Sequence, residues 1–116
     1  MSRAKVLVVE DDPSVQHFAV RLLQKEGFEV LATDNPQQAL TLVRTQEPAL
    51  ALVDIHLHGT AYGFDLCRRI REWMRTEVIL MSSVCISEED RLRAYREGAV
   101  NFIVKSFGMG GIVRRR

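Results

Sequence analysis

The sequence predicts an α/β domain built on a parallel five-stranded sheet, and three observations carry that reading. Five short apolar runs, rich in β-branched residues, recur along the chain at 4–9, 28–33, 49–53, 78–81 and 100–104. Segments with helical spacing separate them. Near-continuous apolar runs are the pattern of strands covered on both faces, and strands alternating with helices imply a parallel sheet with helices on both faces, each crossover returning to the same end of the sheet.

The first run ends abruptly in Glu10-Asp11-Asp12, and Asp12-Pro13 is a helix-start signature because the carboxylate caps free N–H groups while proline supplies the first-turn φ. Val15, Phe18, Ala19, Leu22 and Leu23 follow helical spacing up to a stop at Gly27. The second run leads to Asn35-Pro36 and a helix with Ala39, Leu40 and Val43 on its apolar face, ended by Pro48. The third runs into Asp54, and a His- and Gly-containing loop precedes a helix carrying Phe64, Cys67, Ile70, Trp73 and Met74. The fourth runs into Ser82-Ser83. Ser87 with Asp90 three residues later resembles a capping box, opening a weakly amphipathic helix through roughly position 97 whose clearest apolar residues are Leu92 and Tyr95. Gly98 ends it, and the fifth run stops at Lys105. The expected strand order is 2-1-3-4-5, the flavodoxin-like doubly wound arrangement.

Composition narrows the function classes. The 116 residues are 47% hydrophobic and 27% charged, the balance of an ordinary folded domain. Net charge is +1, and Arg114, Arg115 and Arg116 account for more than that excess, so the body is mildly acidic and carries no nucleic-acid footprint. No apolar stretch reaches the roughly 20 residues that span a bilayer, and the N-terminus does not read as a signal peptide, which gives a cytoplasmic expectation. Cys67 and Cys85 are expected as reduced thiols rather than a bridge.

In a parallel sheet all carboxyl ends share one edge, and ligands bind there where strand order reverses, between strands 1 and 3. Glu10, Asp11, Asp54, Ser82 and Lys105 all end strands and should meet. Clustered carboxylates raise one another's pKa unless a cation stabilises their ionised forms, and a hard divalent ion such as Mg2+ suits oxygen donors. Asp11 and Asp54 supply carboxylates, Glu10 acts through water, and the backbone carbonyl of His56 is a further candidate ligand. Asp54 is the candidate nucleophile towards phosphorus, with Lys105 and Ser82 offering an ammonium and a hydroxyl to the phosphoryl oxygens. His56 and His58 alternate after Asp54, a pattern that also suits a transition metal but reads more simply as loop residues facing solvent.

Taken together, Val8-Val9-Glu10-Asp11-Asp12, Leu52-Val53-Asp54, Leu80-Met81-Ser82-Ser83 and the stretch from Gly98 to Lys105 resemble the motifs of the receiver domain of two-component response regulators, over roughly residues 4–107. The resemblance implies a phosphorylation-dependent signalling switch rather than an enzyme, one that assists its own phosphotransfer and slow dephosphorylation. The phosphoryl donor would be a sensor histidine kinase or histidine phosphotransfer protein. Phe102 would be the aromatic switch residue, and output through another domain, protein or homodimer is left open. Two alternatives stand beside it: a phosphorylation-independent interaction module, and a phosphohydrolase with an aspartate nucleophile.

The pattern departs from the family in three places. Ser106 stands where proline usually follows the lysine; a cis bond there would cost about 2.5–4 kcal/mol, so the join is expected trans or strained. His58 and Tyr62 stand where proline and glycine often lie four and eight residues after the aspartate, with Gly63 one later, as if the loop held one extra residue. After Lys105, Gly108, Gly110 and Gly111 each disfavour a helix interior by about 1 kcal/mol, so the fifth helix is expected to be shortened or atypical. The division expected is a domain over 1–107 and a glycine/arginine tail or linker over 108–116.

Overall fold

In the computed structural model, which describes residues 3–83 and 87–105, the five apolar runs form strands close to where the sequence places them. They are β1 (Lys5–Val9), β2 (Glu29–Thr33), β3 (Leu50–Asp54), β4 (Glu77–Ser82) and β5 (Asn101–Val104). Between them lie α1 (Pro13–Lys25), α2 (Pro36–Gln46), α3 (Tyr62–Trp73) and α4 (Glu88–Arg96). All pairings are parallel in the order β2-β1-β3-β4-β5. The expectations of a shortened or atypical fifth helix, of the Lys105–Ser106 join, of a reduced Cys85 and of a 108–116 tail fall on residues outside those described.

Helix starts follow the capping chemistry read in the sequence. Asp12 accepts from the N–H of Ser14 at 2.9 Å, Asn35 from those of Gln37 and Gln38 at 2.8 and 3.0 Å, and Ser87 from that of Asp90 at 3.1 Å. Each cap satisfies N–H groups that the first helical turn leaves without partners, typically worth about 1 kcal/mol. α3 differs: Ala61 precedes it without a side-chain cap, and the Gly63 N–H instead donates to the Ile55 carbonyl at 2.8 Å.

The sheet separates two apolar layers. One contains Leu7, Val9, Val53, Leu80 and Phe102 from the strands with Ala39, Val43, Phe64, Leu66, Ile70 and Ala94 from α2, α3 and α4. The other contains Val6, Val8, Leu52, Met81 and Ile103 with Ala19 and Leu23 of α1. Alternate residues of β1 thus face opposite layers, which is why a buried parallel strand reads as continuously apolar. Two aromatic residues placed on helix apolar faces by spacing turn out exposed: Phe18 at 50% and Trp73 at 79%. In α1 small Ala19 and Leu23 fill the contact with the sheet, and Trp73 is the last residue of α3, beyond the turn that Ile70 buries.

Among the described glycines, the one packed most tightly against backbone sits beside the expected nucleophile. A Cβ built on Gly63 would lie 2.2 Å from the Asp54 carbonyl oxygen and 2.5 Å from the Ile55 Cα. Both are backbone atoms, so nothing flexible can give way. Only glycine lets the first turn of α3 rest on the end of β3. Gly63→Ala is expected to destabilise the domain by about 3 kcal/mol, the upper end for overpacking a filled site, measured as a lowered urea midpoint. An unchanged midpoint would contradict this packing.

Candidate phosphoacceptor and cation site

The carboxyl edge of the sheet gathers the strand-end residues. Glu10 follows β1, where its N–H donates to the Thr33 carbonyl at 3.1 Å and its own carbonyl accepts from Gln16 Nε2 at 3.0 Å. These bonds hold the backbone while the side chain turns into the pocket, only 1% of the residue remaining exposed. Asp11 is the next residue, and Asp54 closes β3. Glu10, Asp11 and Asp54 each present a carboxylate oxygen within 4.8 Å of the others.

Lys105 supplies the counter-charge. Its N–H donates to the Ser82 carbonyl at 2.8 Å, extending the β4–β5 ladder by one step. From there its Nζ reaches Glu10 Oε1 at 2.6 Å and Asp54 Oδ2 at 3.2 Å, with 7% of the side chain exposed. Three further carboxylate oxygens accept backbone N–H groups. Asp54 Oδ1 accepts from the His56 N–H at 3.1 Å, Glu10 Oε2 from the Asp12 N–H at 3.2 Å, and Asp11 Oδ2 from the His58 N–H at 2.8 Å.

Three carboxyl groups against one ammonium leave excess negative charge in a pocket largely withdrawn from water. Burial pushes Glu10 up to about 7; the Lys105 hydrogen bond pulls it down, and neighbouring Asp54 adds to the rise. For Lys105, burial works against the charge, but the bond to Glu10 and the attraction of Asp54 outweigh it and raise its pKa above the ordinary lysine value. Hard oxygen donors at this spacing, with negative charge uncompensated, fit a small divalent cation and not a soft metal, which would favour the sulfur and imidazole absent from the set.

Among the other expected site residues, Ser82 is fully buried at the end of β4. The His56 N–H serves Asp54, while the carbonyl expected as a ligand stays an open expectation. Phe102 is buried, packed in the same apolar layer as Phe64, Ala94 and Ala99, and its switch role stays an expectation. Cys67 is buried and unbridged, its thiol pushed up to about 12 chiefly by burial. No helix among the described residues is long and apolar enough to cross a membrane. Sequence reading missed the parts taken by Gly63 and His58. The signal for both was the displaced proline and glycine positions of the β3–α3 loop.

Glu10 gives this site a pH signature. Because its folded pKa lies above the ordinary 4.5, the native state binds its proton more tightly than the unfolded chain does. Its stabilising contribution is therefore complete below about 4.5 and is lost as pH rises through about 7. Lys105 acts in the alkaline range, its contribution present below the ordinary lysine pKa and lost above its raised value. In metal-free buffer the Tm of the wild type should fall by several degrees relative to Glu10→Gln between pH 5 and 7.5; parallel profiles for the two proteins would contradict the raised Glu10 pKa.

Comparison with known proteins agrees with this geometry. The family model described as the response regulator receiver domain matches residues 6–115. A probable transcriptional regulatory protein of Picosynechococcus sp. is 34% identical over 121 aligned positions, covering 98% of this chain and 48% of the relative. The DNA-binding response regulator MtrA of Mycolicibacterium smegmatis is 32% identical, covering 97% and 49%. The chain thus spans about half the length of the curated relatives it matches. Among solved structures, the BeF3-activated N-terminal receiver domain of Klebsiella pneumoniae RstA superposes with a TM-score of 0.85 at 28% identity, over 96% of this chain and 93% of that one. With its acidic pocket at the carboxyl edge of a 2-1-3-4-5 sheet, the chain belongs to the receiver domain family of two-component response regulators.

Proposed function

We propose that this domain is a phosphorylation-dependent switch in which Asp54 accepts a phosphoryl group from a phosphohistidine of a sensor kinase or histidine phosphotransfer protein, with Mg2+ held by Asp11, Asp54, the His56 carbonyl and, through water, Glu10. The observation that carries the reading is the contact of the Lys105 ammonium with Asp54 inside a triad of carboxylates. A bound Mg2+ would screen the approach of two anions and stabilise charge on the phosphoryl oxygens. The chain's own groups do the rest. Asp54 offers a carboxylate oxygen in line with the phosphorus; the new O–P bond forms as the P–N bond to the donor imidazole breaks, leaving the donor histidine free.

Asp54 Oδ1 is held by the His56 N–H, which fixes the carboxylate plane, while Oδ2 faces the ammonium of Lys105. As charge builds on the phosphoryl oxygens, Lys105 exchanges part of its contact with the acids for one of them, and the Ser82 hydroxyl serves another. Drawing Ser82 towards the phosphoryl group couples the end of β4 to the following segment and to Phe102 on β5, so that a remote face changes its partners. The two relatives covered by about half their length are named as transcriptional and DNA-binding regulators, which supports a role as the regulatory half of such a protein. A cytoplasmic setting, with no direct nucleic-acid or membrane contact by this domain, fits that role. A phosphohydrolase is less favoured, since the residue two positions after Asp54 is His56 and offers Asp54 its backbone N–H, not a second carboxyl group.

Incubation with Mg2+ and acetyl phosphate, followed by intact mass measurement, tests the reading. The wild type should gain one phosphoryl group and Asp54→Asn none, and Lys105→Ala should accept it on the order of 10²-fold more slowly. Equal gain by Asp54→Asn would remove Asp54 as the acceptor.

A further inference from the structure

His58 stands four residues after Asp54, where receiver sequences often carry proline, a residue without an N–H. Here that N–H is present and engaged: it donates to Asp11 Oδ2 at 2.8 Å across a separation of 47 residues. The geometry requires an unusual backbone, with φ of 52° at His58, in the left-handed region that side-chain-bearing residues seldom enter. Two features hold it there. Leu57 and Thr60 exchange backbone hydrogen bonds of 2.9 and 3.1 Å, closing a tight turn around His58 and Gly59. The imidazole also extends to the neighbouring loop, where Nε2–H donates to the Asp34 carbonyl at 2.8 Å. One residue thereby ties together the loops that follow β1, β2 and β3 around the mouth of the acidic pocket.

We propose that His58 is a positioning residue for Asp11: its N–H fixes the Asp11 carboxylate through Oδ2, and its ring, anchored on Asp34, holds the backbone that aims that N–H. The inference rests on the reading that a divalent cation sits at Glu10, Asp11 and Asp54. A carboxylate held through one oxygen meets the cation already oriented, and the loss of such outer contacts typically weakens metal affinity 10–100-fold. This chain thus replaces the usual proline with a donor acting on a metal-ligand carboxylate.

Titration of the metal-free wild-type protein with MgCl2 by calorimetry, alongside His58→Pro and His58→Gly, tests this. Proline removes the N–H and cannot adopt the positive φ, and should weaken Mg2+ binding about 10–100-fold. Glycine keeps the N–H and accepts the φ but lacks the ring, and should weaken binding several-fold while retaining the wild-type Tm within a few degrees. If the proline variant does not fold, the glycine variant decides. Wild-type affinity in folded His58 variants would overturn the inference and leave the cation reading standing, whereas no binding by the wild type would overturn both. Amide exchange gives a readout free of metal: the His58 N–H should be protected in the metal-free wild type and exchange faster in Asp11→Ala, and rapid exchange in the wild type would also overturn the inference.

Discussion

The structure depends on an unequal charge balance: three carboxyl groups gather at the carboxyl edge of the sheet with one ammonium, which pairs with Glu10 and Asp54 and leaves Asp11 to other donors. Buried in this way the cluster resists ionisation, and Glu10 shows it: burial first, and neighbouring Asp54 after it, push the group up to about 7. Lys105 relieves part of it. The remainder is a standing preference for additional positive charge, which on the proposed reading a divalent cation would meet and an anionic phosphoryl group would change again. The proposed switching draws on charges that do not close on themselves.

Holding like charges together requires a stiff frame, and the parallel sheet provides one. Glu10, Asp54, Ser82 and Lys105 lie at or just beyond strand ends, and backbone bonds from Glu10 to Thr33, Ile55 to the Met81 carbonyl and Lys105 to Ser82 carry the ladder up to the site itself. The first turn of α3 rests on the Asp54 and Ile55 backbone because Gly63 has no Cβ. Polar support comes from main-chain N–H groups of His56 and His58. These donors stabilise carboxylates without adding a titratable counter-charge, so they orient the acids while leaving the electrostatic demand in place.

Much of this was legible in the sequence because it follows from periodicity and strand ends. The apolar runs, the caps at Asp12, Asn35 and Ser87, and the meeting of Glu10, Asp11, Asp54 and Lys105 all follow from local patterns plus one topological rule. Phe18 and Trp73 were misplaced because spacing records which residues share a helix face, not how far that face extends over the sheet. Gly63 and His58 escaped for a different reason. Gly63 rests on backbone atoms of β3 and the His58 N–H meets the Asp11 carboxylate across 47 residues; both contacts exist only once the loop is folded, and no local pattern encodes them. The displaced proline and glycine marked the segment as irregular without revealing what the irregularity accomplishes.

The central claim, that unbalanced acidity at the sheet edge is completed first by a divalent cation and then by a phosphoryl group, is tested most directly by thermal unfolding at pH 7.5. The protein would be compared metal-free, with Mg2+, and with Mg2+ plus beryllofluoride. Ligands that bind only the folded state raise its stability by mass action, so the account predicts a saturable rise in Tm with Mg2+, a further rise with beryllofluoride, and neither in Asp54→Ala/Asp11→Ala. A wild-type Tm unmoved by either addition would contradict it.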